Sequence, residues 1–292
     1  MGLLRMVRIC GAALATFLTL VLTGCGAPAG FDTTADDGPV VLASFYPLAW
    51  VAQQVAGPEV KVEQLTPPGA EPHDAELSPA QVARIGQADL LVTLTGFQAA
   101  VDQAVKANPP KTLIDAAQAV GLEGQDPHFW TDPSRLAQLA EPIAQQLAEI
   151  DPDRATAYRT RAATLVEQLD QLDQDIAIGL SPYAGQTLVT SHEAFSYLAK
   201  RYDLKQVSVS GIDPDQEPSP ARLAEVRQQV EPLGIKTVYF ESAASPKTAQ
   251  ALASELDVDT AVLDPLEVEP ASGSYIVAMR DNLAALKKGL NK

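Results

Sequence analysis

Cysteine is nearly absent from this 292-residue chain: there are two, Cys10 and Cys25, both within the first 25 residues. From Gly26 onward no thiol remains, which excludes disulfide staples and thiolate metal ligands. Histidine is equally scarce, with three in all, His73, His128 and His192. Basic residues are outnumbered, 21 Lys and Arg against 37 Asp and Glu, giving a net charge of −16. That deficit argues against nucleic acid and anionic membrane surfaces as partners. The apolar run at the start, Ile9 to about Leu22, is too short to span a bilayer comfortably.

Arg5 and Arg8 precede that run, and a basic patch followed by a short apolar stretch is the pattern of a secretory signal. The run ends in Leu22-Thr23-Gly24-Cys25, which resembles the lipobox of bacterial lipoproteins, where cleavage falls before an acylated cysteine. An ordinary signal peptide with an incidental cysteine is the plainer alternative. Residues 26–38 are small, polar and acidic, as a flexible tether should be. The expected organisation is a signal peptide over 1–24 and a lipidated tether over 25–38. The remaining chain has 292 − 24 = 268 residues, with 19 basic residues (21 less Arg5 and Arg8) against 37 acidic, a net charge of −18. That size suffices for one large domain or two modest ones with an ample core.

From Val40 the chain alternates strand and helix signals. Strands are expected at 40–44, 60–65, 90–94 and 112–114, with helices over 48–55, from Ser78-Pro79, after Gly96 to Val105, and from Thr131-Asp132-Pro133 to about Ile150. Residues 151–180 break the rhythm. Tyr158, Ala162, Leu165, Leu169, Leu172 and Ile176 fall at steps of four and three, one apolar stripe along one face. Thirty helical residues span roughly 45 Å, longer than a small domain needs. A coiled-coil segment fits the stripe, but a single helix crossing between two lobes fits it better. Alternation then resumes, with strands at 187–190, 206–209, 236–240 and 260–263. Helices follow over 193–202, 219–230, 245–256 and 275–286. The expected fold is α/β: two lobes, 39–150 and 182–292, each with a mostly parallel four-stranded sheet flanked by helices and joined by one long helix over 151–181.

The three histidines occupy comparable places. His73 lies in a proline-rich loop, His128 before an aromatic pair and a helix start, and His192 just beyond a strand. Asp264 follows the last strand in the same way. These four are 55, 64 and 72 residues apart, so no local metal motif is present. Each lies just beyond a strand or just before a helix, and in open α/β sheets ligands bind in the crevice at the carboxyl ends of strands. Imidazole and carboxylate are ligands suited to tetrahedral Zn²⁺. One histidine alone would be an ordinary surface or core residue; it is the joint pattern that points to a metal. Asp264 before Pro265 also suits a plain turn, and Glu241 a loop cap. Glu193 and Glu241 are the candidates to support the ligands from behind. Phe129 and Trp130 are expected to pack the lobe interface.

These motifs carry a resemblance. Pro-His-Asp at 72–74, Asp-Pro-His-Phe-Trp-Thr-Asp-Pro at 126–133 and His-Glu-Ala-Phe-Ser-Tyr-Leu at 192–198 are among them, as are 211–219, Asp-Pro-Leu at 264–266 and 275–283 with Met279 and Asn282. The chain resembles the cluster A-I solute-binding proteins, the zinc and manganese receptors of bacterial ABC transporters, over residues 39–291. The resemblance implies two α/β lobes joined by one rigid helix, metal ligands at His73, His128, His192 and Asp264, and delivery of the ion to a membrane permease by a monomeric lipid-anchored receptor. There are departures. Residues 74–127 hold no histidine, so the histidine-rich scavenging loop of many zinc members is missing. Asp203 and Glu267 stand where relatives commonly have glycine; a changed turn is expected at the first and a looser geometry near Asp264 at the second.

Manganese members usually place a carboxylate where His192 stands, so Zn²⁺ is the expected cargo and Mn²⁺ the alternative. A zinc hydrolase needs an open metal position for water and a general base. Four protein ligands would close the site, and Glu193, the only base in view, sits where a helix-start carboxylate pairs with the dipole. Adhesion, a role described for related receptors, has no separate module in this sequence.

Overall fold

The computed structural model of the chain describes residues 38–122, 124–214, 218–241 and 247–290. The expected signal, Cys25 and the tether up to residue 37 lie outside these residues, as do 215–217 of the 211–219 motif and the Ser245-Pro246 helix start. No helix among the described residues is long and apolar enough to cross a membrane.

The first half alternates β1 (Val41–Ala43), α1 (Tyr46–Ala56), β2 (Val62–Gln64), α2 (Pro79–Ile85), β3 (Leu90–Thr93), α3 (Ala99–Ala107), β4 (Leu113–Asp115) and α4 (Ala116–Ala119). Its strands lie in the order β2-β1-β3-β4, all parallel. Successive residues of the central strands feed different cores. Val41, Ala43, Leu90 and Val92 belong to the main cluster, Leu42 and Leu91 to a second one on the opposite face. A parallel sheet covered on both faces needs unbroken apolar strands, which is why these segments read as continuous runs rather than alternating ones. Ser78 caps α2 through a reciprocal capping box with Gln81, with Pro79 at the first helical position.

The expected helix over 133–150 is interrupted. It comprises α5 (Pro133–Leu136), a 3-10 turn over Ala137–Leu139 and α6 (Ala140–Ile150). Pro142 explains the break: it has no N–H to give Gln138, and its ring crowds that carbonyl.

The long helix is α7 (Ala155–Leu180), 26 residues entered through a 3-10 turn at Pro152–Arg154, or about 39 Å. All six stripe residues are buried, together with Leu180 and Asp173. That face packs against α1, α5 and α6 of the first half and against the closing helix α11 (Tyr275–Leu290) of the second. A fully buried leucine such as Leu169 or Leu172 contributes roughly 1.5–3 kcal/mol relative to exposure. Asp173 is tolerated on the apolar face because Arg201 grips it with two bonds, 2.9 and 2.6 Å, and the Tyr202 hydroxyl donates at 2.9 Å. On the other side, Arg161 of α7 donates to the Ala56 carbonyl at 2.7 Å. Gly57 is required there: its φ is +78°, and a Cβ would meet the Arg161 guanidinium at 2.2 Å.

The second half runs β5 (Thr187–Thr190), α8 (Ser196–Arg201), β6 (Lys205–Ser208), α9 (Pro220–Val230), β7 (Thr237–Phe240), α10 (Lys247–Leu256), β8 (Asp259–Val262) and α11. Its order, β6-β5-β7-β8, again all parallel, repeats the topology of the first sheet. The helix expected from Glu193 begins only at Ser196, and the Glu193 N–H donates to the Gly211 carbonyl at 2.8 Å. Asp203 takes φ +55°, the left-handed turn that glycine would otherwise supply. One continuous core draws residues from both sheets and from α7, and from Gly38 on the chain is one compact unit.

Candidate metal centre

Each half brings two groups to the carboxyl ends of its strands. His73 lies in the loop after β2, where the Gln98 amide donates to the Pro72 carbonyl at 3.1 Å and the His73 N–H donates to Glu71 at 2.8 Å. His128 follows β4 and α4 and leads into a 3-10 turn at Phe129–Thr131. His192 follows β5. The fourth group is the carboxylate of Glu267, beyond β8. One ligand atom from each of His73, His128, His192 and Glu267 lies within 4.8 Å of every other.

The convergence is atomic. Glu267 Oε1 stands 2.9 Å from His128 Nε2, 3.3 Å from His192 Nε2 and 3.6 Å from His73 Nε2. Ligand atoms about 2.05 Å from a tetrahedral Zn²⁺ lie roughly 3.3 Å apart, so the spacing already suits such an ion. His128 and His192 are 0% and 1% exposed, whereas the His73 side chain keeps 10% and is the one nearest solvent. The imidazoles also pack against aromatic rings, His73 edge-on to Phe97 at 4.5 Å and His128 against Trp130 at 5.2 Å.

Behind the cluster, two carboxylates hold two of the rings by their other nitrogen. Asp126 Oδ1 takes both the His128 N–H, at 3.0 Å, and Nδ1, at 2.8 Å. Glu241 Oε1 meets His192 Nδ1 and accepts the Ser191 hydroxyl at 2.7 Å. The sheet register explains the second pair. Thr190 faces Tyr239 across β5 and β7, so His192 and Glu241, each two residues further on, emerge side by side. A carboxylate on Nδ1 fixes the tautomer that leaves Nε2 free to ligate and raises its basicity.

The charges are strongly coupled. Burial alone would lower the His192 imidazole, but Glu241 and Glu267 outweigh it and push it up to about 10. Burial likewise opposes charge on His128, and Asp126 and Glu267 override it and raise that group. Burial would raise the Glu267 carboxyl, yet the three imidazoles hold it well below the usual range. These directions favour positive charge on His128 and His192 facing the Glu267 carboxylate.

Asp264 is not in the cluster. Its Oδ1 accepts the Leu266 N–H at 2.8 Å, and its backbone N–H and carbonyl are engaged by Asn282. The carboxylate that meets the imidazoles belongs to the residue three positions on, at the site where glycine was the common expectation. Glu193 is exposed at the surface and outside the cluster; Glu241 stands behind His192. Trp130 does more than pack: its indole N–H donates to the Pro265 carbonyl at 2.8 Å.

A family model described as zinc-uptake complex component A, periplasmic, matches residues 41–289. The chain is 36% identical over 302 residues to the zinc-binding lipoprotein AdcA of Streptococcus pneumoniae (strain ATCC BAA-255 / R6), a match covering 94% of this chain and 60% of that protein. It therefore spans 60% of the length of that curated relative. It is 32% identical over 303 residues to the high-affinity zinc uptake system protein ZnuA of Bacillus subtilis (strain 168), covering 94% of this chain and 95% of that one. The solved Zn(II)-bound ZnuA-like domain of S. pneumoniae AdcA superposes with a TM-score of 0.75 at 38% identity, covering 87% of this chain and 100% of that chain. The laminin-binding protein Lmb of Streptococcus agalactiae, described as bifunctional with adhesin and metal transporting activity, superposes with a TM-score of 0.79 at 34% identity, covering 87% and 99%.

Proposed function

The chain belongs to the zinc-uptake complex component A family, and from that membership and the geometry of the cluster we infer that it is the extracytoplasmic receptor of an ABC importer, capturing Zn²⁺ between its two halves and delivering it to a membrane permease. The observation that carries this is the convergence of three imidazole Nε2 atoms on Glu267 Oε1. His73, His128, His192 and Glu267 are the ligands. Glu267 takes the place that the sequence had suggested for Asp264. Three nitrogens and one oxygen make a four-coordinate set with one negative charge, which suits Zn²⁺ better than Mn²⁺, an ion that prefers oxygen and higher coordination.

Asp126 and Glu241 act through His128 and His192. They orient the rings and accept the Nδ1–H hydrogen bonds, so that the Nε2 lone pairs face the ion. Four protein ligands leave no position for the activated water that a catalytic zinc keeps, so the site suits capture rather than hydrolysis. Cys25, acylated after cleavage, would hold the domain at the membrane on the tether over 25–38, working as a monomer beside its permease. The test is uptake of radioactive zinc by zinc-starved cells of the source organism lacking this chain. Restoring the full chain is expected to restore uptake and growth. A chain without His128 and His192 that restores them equally well would contradict the assignment.

A further inference from the structure

The loop that carries Glu267 is built under constraint. Beyond β8, residues 264–267 turn back toward the imidazoles through Leu266, whose φ is +60°. A side chain disfavours that left-handed conformation. Leu266 is also fully buried, so the turn persists because its surroundings over-determine it. Asn282 of α11, itself 4% exposed, spans the Asp264 backbone with both ends of its amide: Oδ1 accepts the Asp264 N–H at 2.8 Å and Nδ2 donates to the Asp264 carbonyl at 2.7 Å. The Asp264 carboxylate takes the Leu266 N–H at 2.8 Å. From the first half, the Trp130 indole donates to the Pro265 carbonyl at 2.8 Å, and the Tyr275 hydroxyl donates to the Trp130 carbonyl at 2.6 Å.

This scaffold bears on which ion the site accepts. Each contact between Glu267 and the imidazoles runs through Oε1. A carboxylate arm free to shift can offer a second oxygen or admit water, which raises the coordination number above four. Zn²⁺ tolerates four-coordination, and Mn²⁺ gains from each added oxygen. We propose that Asn282 is a specificity-determining positioning residue: by clamping the Asp264 backbone it fixes the turn through Leu266, so that Glu267 offers one oxygen and the site stays four-coordinate, favouring zinc over manganese. Trp130 is the second fixing point, reaching the same loop from the opposite half. The proposal rests on the assignment of His73, His128, His192 and Glu267 as ligands.

The experiment uses the full chain carrying Asn282→Asp, which is isosteric, keeps the acceptor for the Asp264 N–H, and sets a carboxylate against the carbonyl that the amide had satisfied. Zinc and manganese affinities are measured by competition on the metal-stripped protein. Co²⁺ serves as a spectroscopic probe, since its visible absorption is intense in a tetrahedral site and weak at higher coordination. Zinc affinity is expected to fall about 10–100-fold, the usual scale for losing a group that supports a ligand. Manganese affinity should fall far less, so that the zinc-to-manganese ratio contracts about tenfold or more, and the Co²⁺ absorption should weaken. Equal losses for both ions with an unchanged Co²⁺ spectrum would show a merely structural role and overturn the proposal, as would no change at all. Trp130→Phe removes the N–H together with part of the buried indole that packs on Phe45 and Phe97, and should move the ratio the same way; it decides the question if Asn282→Asp does not fold. Glu267→Gln separates the two levels. If it leaves zinc binding and the Co²⁺ spectrum untouched, the ligand assignment fails. If it weakens zinc while the other two variants leave the ratio unchanged, only the role of Asn282 and Trp130 fails.

Discussion

Two carboxylates three residues apart compete for one role, and a pair of isosteric substitutions separates them. Glu267→Gln replaces a charged oxygen that lies 2.9, 3.3 and 3.6 Å from the three Nε2 atoms with a neutral amide oxygen. Losing a bond to a charged group costs about 1.5–3 kcal/mol, which sets a floor, because a dication held by that oxygen is more demanding than a hydrogen-bond donor. The zinc dissociation constant should therefore rise by at least about 10–150-fold. Asp264→Asn keeps an acceptor for the Leu266 N–H, now at 2.8 Å from a carboxylate oxygen. That bond weakens by roughly 1 kcal/mol without being lost, so zinc affinity should stay within about fivefold of the parent. Competition against a chromophoric chelator on metal-stripped protein measures both. If Asp264→Asn costs more zinc affinity than Glu267→Gln, the placement of Glu267 as the fourth ligand is refuted.

Other expectations follow from the same geometry. Because His128 is raised and His192 is pushed up to about 10, protons occupy these rings in the metal-free protein and must leave when zinc binds. Zinc affinity should thus rise with pH through neutrality and fall steeply in mild acid; a dissociation constant flat between about pH 6 and about pH 8 would contradict three-imidazole ligation. The same raised value means that the His192 contribution to metal-free stability is fully present below the unfolded imidazole value of about 6.5. It is lost as pH rises through about 10, which alkaline denaturation of the stripped protein should reveal. Leu169→Ala, on the fully buried face of α7, should destabilise the fold by about 2–5 kcal/mol in denaturant titration, and a loss well below that range would mean α7 does not anchor the core. Solution scattering should show little compaction on zinc binding, since one long helix and a shared core join the halves in place of a flexible hinge; a large decrease in radius of gyration would count against it.

Most of the architecture was legible because burial imposes simple patterns. Strands covered on both faces must be apolar throughout, and α7 shows its stripe because one face must pack while the other meets water. Ser78-Pro79 and Ser219-Pro220 mark helix starts because a hydroxyl satisfies an orphan N–H and proline lacks one. The three histidines stood out by scarcity and by their place at strand ends. The fourth member did not. Asp264 sits nearest the strand end, but Leu266 takes a left-handed φ that nothing in a leucine announces, and the turn carries the chain on until Glu267 faces the site. The only clue was a carboxylate standing where glycine is common. Of the two carboxylates that the sequence offered behind His192, the adjacent Glu193 is exposed, whereas Glu241 reaches the ring because β5 and β7 are neighbours in the sheet. Asp126, two residues before His128, folds back on it through an aspartate–proline turn whose sequence was visible but whose purpose was not.

The central claim is that three imidazoles and one carboxylate form a single zinc site. Its most direct test is the metal stoichiometry of the purified, stripped and reloaded protein, measured by elemental analysis after dialysis against mixed zinc and manganese. One zinc per chain, retained against excess manganese, is the expected result. No bound metal, several per chain, or manganese held as tightly as zinc would contradict it.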